Sequence, residues 1–285
     1  WNCDWSSDVC SSDLLSWQLS GGPGGQPLDV DVELTDGSTG AVTVRRVATP
    51  SQVLMPWPFA ALPSRFRGAV RVRTVRGAQA GPWSDPAAIE TTLLQPADWT
   101  ARFVTPRGIG RVGDPAPVLR HEFDLPAGTG RARLHLTALG LHLTTVNGSR
   151  VSDEELAPGW TSYRHRLRFR THDVTGLLRP GRNRIEILLG NGWYRGRLGW
   201  GGRRALYGDR LAALAQLEVE TPDGRLVVGT DDTWTARPSQ VLADDLYDGQ
   251  TTDLGAPAGV DDPVEVLDHD LHRLVAPSGP PVRAV

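Results

Sequence analysis

Apolar residues recur at every second position along most of this 285-residue chain, with no series of long 3.6-residue stripes. Successive side chains of an extended strand point to opposite faces, so such a period builds sheets that bury one side. Leu15-Ser16-Trp17-Gln18-Leu19 turns its odd positions one way. Over residues 28–34, Val30 and Val32 alternate with Asp29, Asp31 and Glu33; Asp36-Gly37 supplies a turn, and 41–47 resumes the extended pattern. Val70, Val72 and Thr74 share one face of a strand whose reverse carries Arg71 and Arg73, the pattern of a half-buried strand.

The second half continues in this way. Residues 131–151 read as one hairpin with Asn147-Gly148 at its tip, a dipeptide that tolerates the positive φ of a type I′ turn. Tyr163, His165, Leu167 and Phe169 alternate with Arg164, Arg166 and Arg168, which predicts a strand whose arginine row is a solvated outer face rather than a phosphate-binding stripe. Leu211, Ala213, Ala215, Leu217 and Val219 fall on one side, and Asp223-Gly224 turns the chain into Leu226-Val227-Val228, a further hairpin. The fold class is therefore all-β. The 32 Gly and 22 Pro suit many short strands joined by tight turns, and the 10 Trp suit the space between sheets.

Length favours two domains. Residues 14–95 form a first β-sandwich, Gln95-Pro96-Ala97-Asp98 a joint, 96–268 a second sandwich, and 269–285 a linker into a further domain. Residues 1–13 repeat Ser-Ser-Asp, fit neither an amphipathic period nor a signal peptide, and resemble translated sequencing adapter. Cys3 and Cys10 both lie in that segment, and two cysteines alone make no zinc site. The formal charge is −3 and every basic residue is arginine, so no nucleic-acid partner is expected; no apolar run is long enough to suggest a membrane span.

Several phrases carry a family resemblance. Gly81-Pro82-Trp83-Ser84-Asp85-Pro86 with Ile89-Glu90-Thr91 resembles the last turn and strand of a fibronectin type III module. Ala138-Leu139-Gly140, Val146-Asn147-Gly148-Ser149-Arg150-Val151, residues 156–163, residues 192–199, Tyr207-Gly208-Asp209-Arg210 and Leu246-Tyr247-Asp248-Gly249 resemble the N-terminal sandwich of bacterial α-L-rhamnosidases, in order and approximate spacing. The resemblance implies two tandem β-sandwiches, fibronectin type III-like and then a galactose-binding-like jelly roll. It further implies an enzyme that releases terminal α-L-rhamnose with inversion, its paired carboxylates standing on an (α/α)6 barrel C-terminal to the sandwiches. No stretch here resembles that barrel, so the partners expected are a rhamnose-containing glycoside or polysaccharide and the chain's own catalytic domain. No catalytic residue is assigned and no cofactor is required.

Asn191, Trp193, Tyr194, Arg195, Trp200, Arg203, Tyr207 and Asp209 carry the residue types that bind sugars: rings for C–H faces, amide, acid and guanidinium for hydroxyls. Packing of Trp193 and Tyr207 into a core or interface is the competing account, because large aromatics fill cores more often than they recognise ligands. Asp153 and Glu154 offer hard oxygens to calcium, which sandwiches of the galactose-binding-like type often hold. Asp231-Asp232, Asp244-Asp245 with Asp248, and Asp261-Asp262 are expected to serve turns rather than catalysis. Two alternatives stay open: an autonomous carbohydrate-binding module and an independent β-sandwich carbohydrate-active enzyme.

Overall fold

The computed structural model describes residues 14–18, 28–49, 52–257, 259–277 and 279–284. Cys3, Cys10, the adapter-like segment and Leu19 lie outside the described residues. The chain divides into two compact units, Trp1–Leu94 and Gln95–Val285. Among the described residues the helices are three 3-10 turns and one four-residue α-helix, Gly192–Arg195; everything else regular is strand.

In the first unit, Val42–Thr49, Leu28–Asp36, Arg67–Arg76 and Gln79–Ala80 form an antiparallel sheet in that order, with Ala87–Glu90 also on Arg67–Arg76. Leu14–Leu15 pairs with Met55–Pro56. The alternation read from sequence holds: Val30, Val32, Val70 and Val72 pack with Leu15, Trp17 and Met55. The reverse face is drier than its composition suggests, since Asp31 and Glu33 are themselves buried. Arg46 and Arg73 clamp Asp31 at 2.8 Å each, Arg71 clamps Glu33 at 2.6 Å, and the Trp83 ring lies against Arg71 and Arg73. Paired carboxylates tolerate burial that lone ones do not. The Arg46 hydrogen bond, outweighing desolvation, holds Asp31 below the usual carboxylate range.

The sandwich of the second unit is one continuous path of strands folded on itself, with two further two-stranded ladders beside it. Its order is Ser149–Arg150, Leu141–Val146, Gly181–Gly190, Pro117–Leu125, Thr235–Pro238, Asp262–Val266, Val104–Pro106, Ala212–Thr221, Ala132–Leu139 and Arg170–Asp173, with Gly224–Gly229 also on Ala212–Thr221. Asp262–Val266 pairs with Thr235–Pro238 on one side and Val104–Pro106 on the other, and so joins the two faces of the sandwich. Leu119, Leu134, Leu136, Ile185, Ile187, Leu189, Ala215, Leu217 and Trp234 belong to the core between them. The hairpin predicted from Leu211 to Val228 is present. Its first strand is buried on both faces because residues 98–101 cover the outer side. Buried Gln216 ties that cover down, accepting from Thr100 and Ala101 N–H (2.7 and 3.1 Å) and donating to the Asp98 carbonyl (2.9 Å).

Two strand expectations need correction. Residues 131–151 are not one hairpin: Ala132–Leu139 pairs with Arg170–Asp173 and Ala212–Thr221, whereas Leu141–Val146 pairs with Gly181–Gly190. The chain changes sheets at Gly140, where φ is 126° and a Cβ would stand 2.5 Å from the Gly190 carbonyl oxygen. The Asn147-Gly148 turn is real, with φ of 52° and 84°, but closes only the short ladder to Ser149–Arg150. Nor is 163–169 a strand throughout. His165 and Arg166 N–H both donate to the Ser162 carbonyl, which makes 162–166 a turn, and only Leu167–Arg168 is extended, parallel to Leu274–Val275. Period-two spacing across four residues does not distinguish a turn with two anchoring apolar ends from a strand. Residues 269–285, expected to be a linker, bond to this unit there and again where Glu155 N–H donates to Val282 O at 2.8 Å.

Candidate functional site

The loops that follow the strand Gly181–Gly190 gather most of the sugar-binding candidates. The short helix Gly192–Arg195 starts where the strand ends, and Asn191 anchors it. The Asp244 carboxylate accepts from Asn191 N–H at 2.6 Å and from its side-chain Nδ2 at 3.0 Å, while the Asp244 carbonyl accepts from Nδ2 at 2.7 Å. Asn191 Oδ1 in turn accepts from Arg195 Nε at 2.5 Å. Arg195 is 1% exposed and also donates to the carbonyls of Gly110 and Asp209. Burial lowers the Arg195 pKa and raises that of Asp244, each against the pull of the other's charge.

Asn191 and Arg195 are thus the fastening of the loop, not its ligand-facing groups. Tyr194 and Tyr207 are also turned inward: both pack against Tyr163, with ring centroids 5.1 and 4.9 Å away. Burial raises Tyr163 and Tyr194 above the ordinary phenol range, with the neighbouring tyrosines and Asp209 respectively adding to it. Trp193 behaves differently. Its indole stacks on Trp160, centroids 5.9 Å apart and planes 4° from parallel, and Trp160 is 52% exposed. Trp200 is wholly exposed on the same loop, and Arg203 and Asp209 are exposed. The candidates therefore divide into an inner fastening and an outer surface of rings and charges.

Residues outside the sequence candidates complete that surface. Arg197 donates to Asp248 at 2.6 Å and lies over the ring of Tyr247, which is 62% exposed. Arg204 bridges Asp245 (2.7 Å) and Asp248 (3.2 Å). These ion pairs tie the 192–210 loop to the hairpin of Val241–Asp245 and Gly249–Thr252. Asp244 is a strand residue that holds the loop rather than serving a turn, whereas Asp245, at the strand's end, does both: it accepts from Arg197 N–H at 2.9 Å and, as expected, from Tyr247 N–H in the turn at 3.2 Å. Asp231 does serve its turn, accepting from Thr233 N–H at 2.9 Å, and Asp262 accepts from Gly108 N–H at 2.7 Å.

The calcium candidates do not fit a cation. Asp153 is held by Arg283 at 3.0 Å and Glu154 by Arg170 at 3.4 Å, so each carboxylate already has a guanidinium. Among the described residues no group of three or more His, Cys, Asp or Glu is gathered for a metal, and hard cations require six or more oxygens.

The family model of the alpha-L-rhamnosidase N-terminal domain matches residues 128–285. The chain belongs to this family. Residues 11–95 match the model of the Rha78A-like N-terminal immunoglobulin domain, a sandwich class whose architecture fibronectin type III modules share. An alpha-L-rhamnosidase of Streptomyces avermitilis is 46% identical over 156 residues, covering 51% of this chain and 15% of that protein. One from Formosa agariphila is 34% identical over 187 residues, 61% of this chain and 20% of its own length. The chain thus spans a fifth or less of these rhamnosidases. The native alfa-L-rhamnosidase structure from Aspergillus terreus superposes with a TM-score of 0.86 at 32% identity, over 97% of this chain and 34% of that one. The S. avermitilis enzyme complexed with L-rhamnose shares the fold, with a TM-score of 0.82 at 22% identity, over 98% of this chain and 46% of that one.

Proposed function

We propose that this rhamnosidase N-terminal region is the non-catalytic front of an enzyme that removes terminal α-L-rhamnose, and that its second unit holds rhamnosides on the Trp160–Trp193–Trp200 surface. The observation that carries the reading is the parallel Trp160–Trp193 pair: one indole braces the other, so Trp160 offers a flat, fixed ring face to solvent. Pyranose C–H faces pack on such rings, and a ring already held loses little freedom on binding. Exposed Arg203 and Asp209 nearby supply a donor and an acceptor for hydroxyls. The relatives are rhamnosidases by name, and the fold is shared with a structure solved with L-rhamnose.

Titration of the 285-residue chain with L-rhamnose, followed by tryptophan fluorescence and calorimetry, tests this. Saturable binding that Trp193→Ala abolishes while the melting transition stays cooperative is the expected result. No heat and no spectral change at millimolar sugar would leave only a scaffold for the catalytic domain. Hydrolysis of a chromogenic α-L-rhamnoside by the chain alone would overturn its non-catalytic role.

A further inference from the structure

The segments that build the aromatic surface, residues 160–166 and 191–210, contain seven arginines and a single acidic residue, Asp209, in a chain of net charge −3. Four of the seven have fixed partners. Arg195 is buried on Asn191 and backbone carbonyls, Arg197 and Arg204 are paired with Asp245 and Asp248, and Arg210 is paired with Glu265. Arg164, Arg166 and Arg203 are exposed, and among the described residues none of the three guanidinium groups has a hydrogen-bond or acidic partner.

Their placement is specific. The 162–166 turn that carries Arg164 and Arg166 follows Trp160 directly and is closed by Thr161 Oγ1 donating to the Arg166 carbonyl at 2.7 Å. Its first residue after the serine, Tyr163, packs on Tyr194 and Tyr207, which fixes the turn beside the loop that bears Trp193. Arg203 lies across a bridge from Leu198 on that same loop, close to Trp200. Arg164 and Arg166 therefore stand on a turn beside the ring surface, and of the arginine row only Arg168 is on a strand.

We infer that this surface takes an anionic glycan, in which the rhamnose packed on the indoles adjoins a carboxylate or sulfate held by Arg164, Arg166 and Arg203. The inference rests on the sugar-binding reading above and adds its substrate class. Guanidinium forks match the two oxygens of a carboxylate or sulfate, and a neutral sugar offers hydroxyls but no counter-charge to three unpaired cations.

The test compares four ligands on the full chain by calorimetry: L-rhamnose, a rhamnosyl-glucose disaccharide, a rhamnosyl-glucuronic acid disaccharide and a rhamnose sulfate. The acidic ligands should bind about tenfold tighter than the neutral disaccharide at low salt, with the advantage shrinking as salt rises. Whichever acidic ligand gains more identifies the anion as carboxylate or sulfate. The triple variant Arg164→Gln, Arg166→Gln, Arg203→Gln should erase that advantage, and the double variant Arg164→Gln, Arg166→Gln should shrink it while leaving neutral binding unchanged; these side chains are exposed, so the fold is kept. Equal binding of neutral and acidic ligands, or an advantage that survives the triple variant, overturns the inference alone. Failure of every ligand to bind overturns the sugar-binding reading beneath it.

Discussion

His142 gives the second unit an acid sensitivity that can be worked out in advance. It stands on Leu141–Val146 in a small cleft with His172, Arg150, Ser152 and Glu154, and its Nε2 is buried without a hydrogen-bond partner. Burial first, then the nearby His172 and Arg170, lowers its pKa from 6.5 to about 3. A folded pKa below the unfolded one means that the unfolded chain binds the extra proton. The stabilisation is therefore complete above pH 6.5 and is lost as the pH falls toward the folded value. Over the middle of that window the slope is one proton, about 1.4 kcal/mol per pH unit, and between pH 7 and pH 4.5 the loss sums to about 2.5 kcal/mol. For a unit of this size that is a fall in Tm of roughly 5–10 °C. Urea unfolding of the chain and of His142→Gln at several pH values isolates the effect. Other titrating groups act on both proteins alike, and any constant cost of the substitution drops out of the slope. The native chain should lose about 2.5 kcal/mol more than the variant over this range. Parallel pH profiles would refute the reasoning.

Two further substitutions probe how the unit is built. Gly140→Ala should cost roughly 2–4 kcal/mol or prevent folding, because the added methyl meets the Gly190 carbonyl and Leu211 at a φ that disfavours any side chain; thermal melting of the soluble fraction reads this. Asp244→Ala removes the acceptor for Asn191 and the acidic charge that acts most strongly on Arg195, a loss of about 3 kcal/mol. Its sign in the assay is faster tryptic cleavage after Arg197, Arg203 and Arg204, and unchanged kinetics there would argue that the loop is held by something else.

Alternation made the sheets legible because the two periods, 2 and 3.6, diverge within a few residues. Val30, Val32, Val70 and Val72 face the core as their spacing requires, and so do Ala213, Ala215, Leu217 and Val219. Pairing partners were less legible. Gly140 looks like any turn glycine in sequence, and only its contact with the Gly190 carbonyl reveals a crossing between sheets. In the site, the cluster at 191–209 was readable as a loop rich in rings and charges. What the sequence does not encode locally is the division of labour inside it. Arg195 and Arg203 are the same residue type eight positions apart, yet one is buried by Asn191 and Gly110 while the other meets solvent. Trp160 and Asp244 were missed because they come from distant stretches brought in by the fold.

The strand Asp262–Val266 has a consequence for how such a region is made and handled. It pairs with Val104–Pro106, laid down near the start of its unit, so the two faces cannot be joined until almost the whole unit has left the ribosome. Until then Thr235–Pro238 and Val104–Pro106 each present an open rim. Expression fragments that stop short of residue 262 should accordingly clump, whereas those that carry the closing strand have those rims capped.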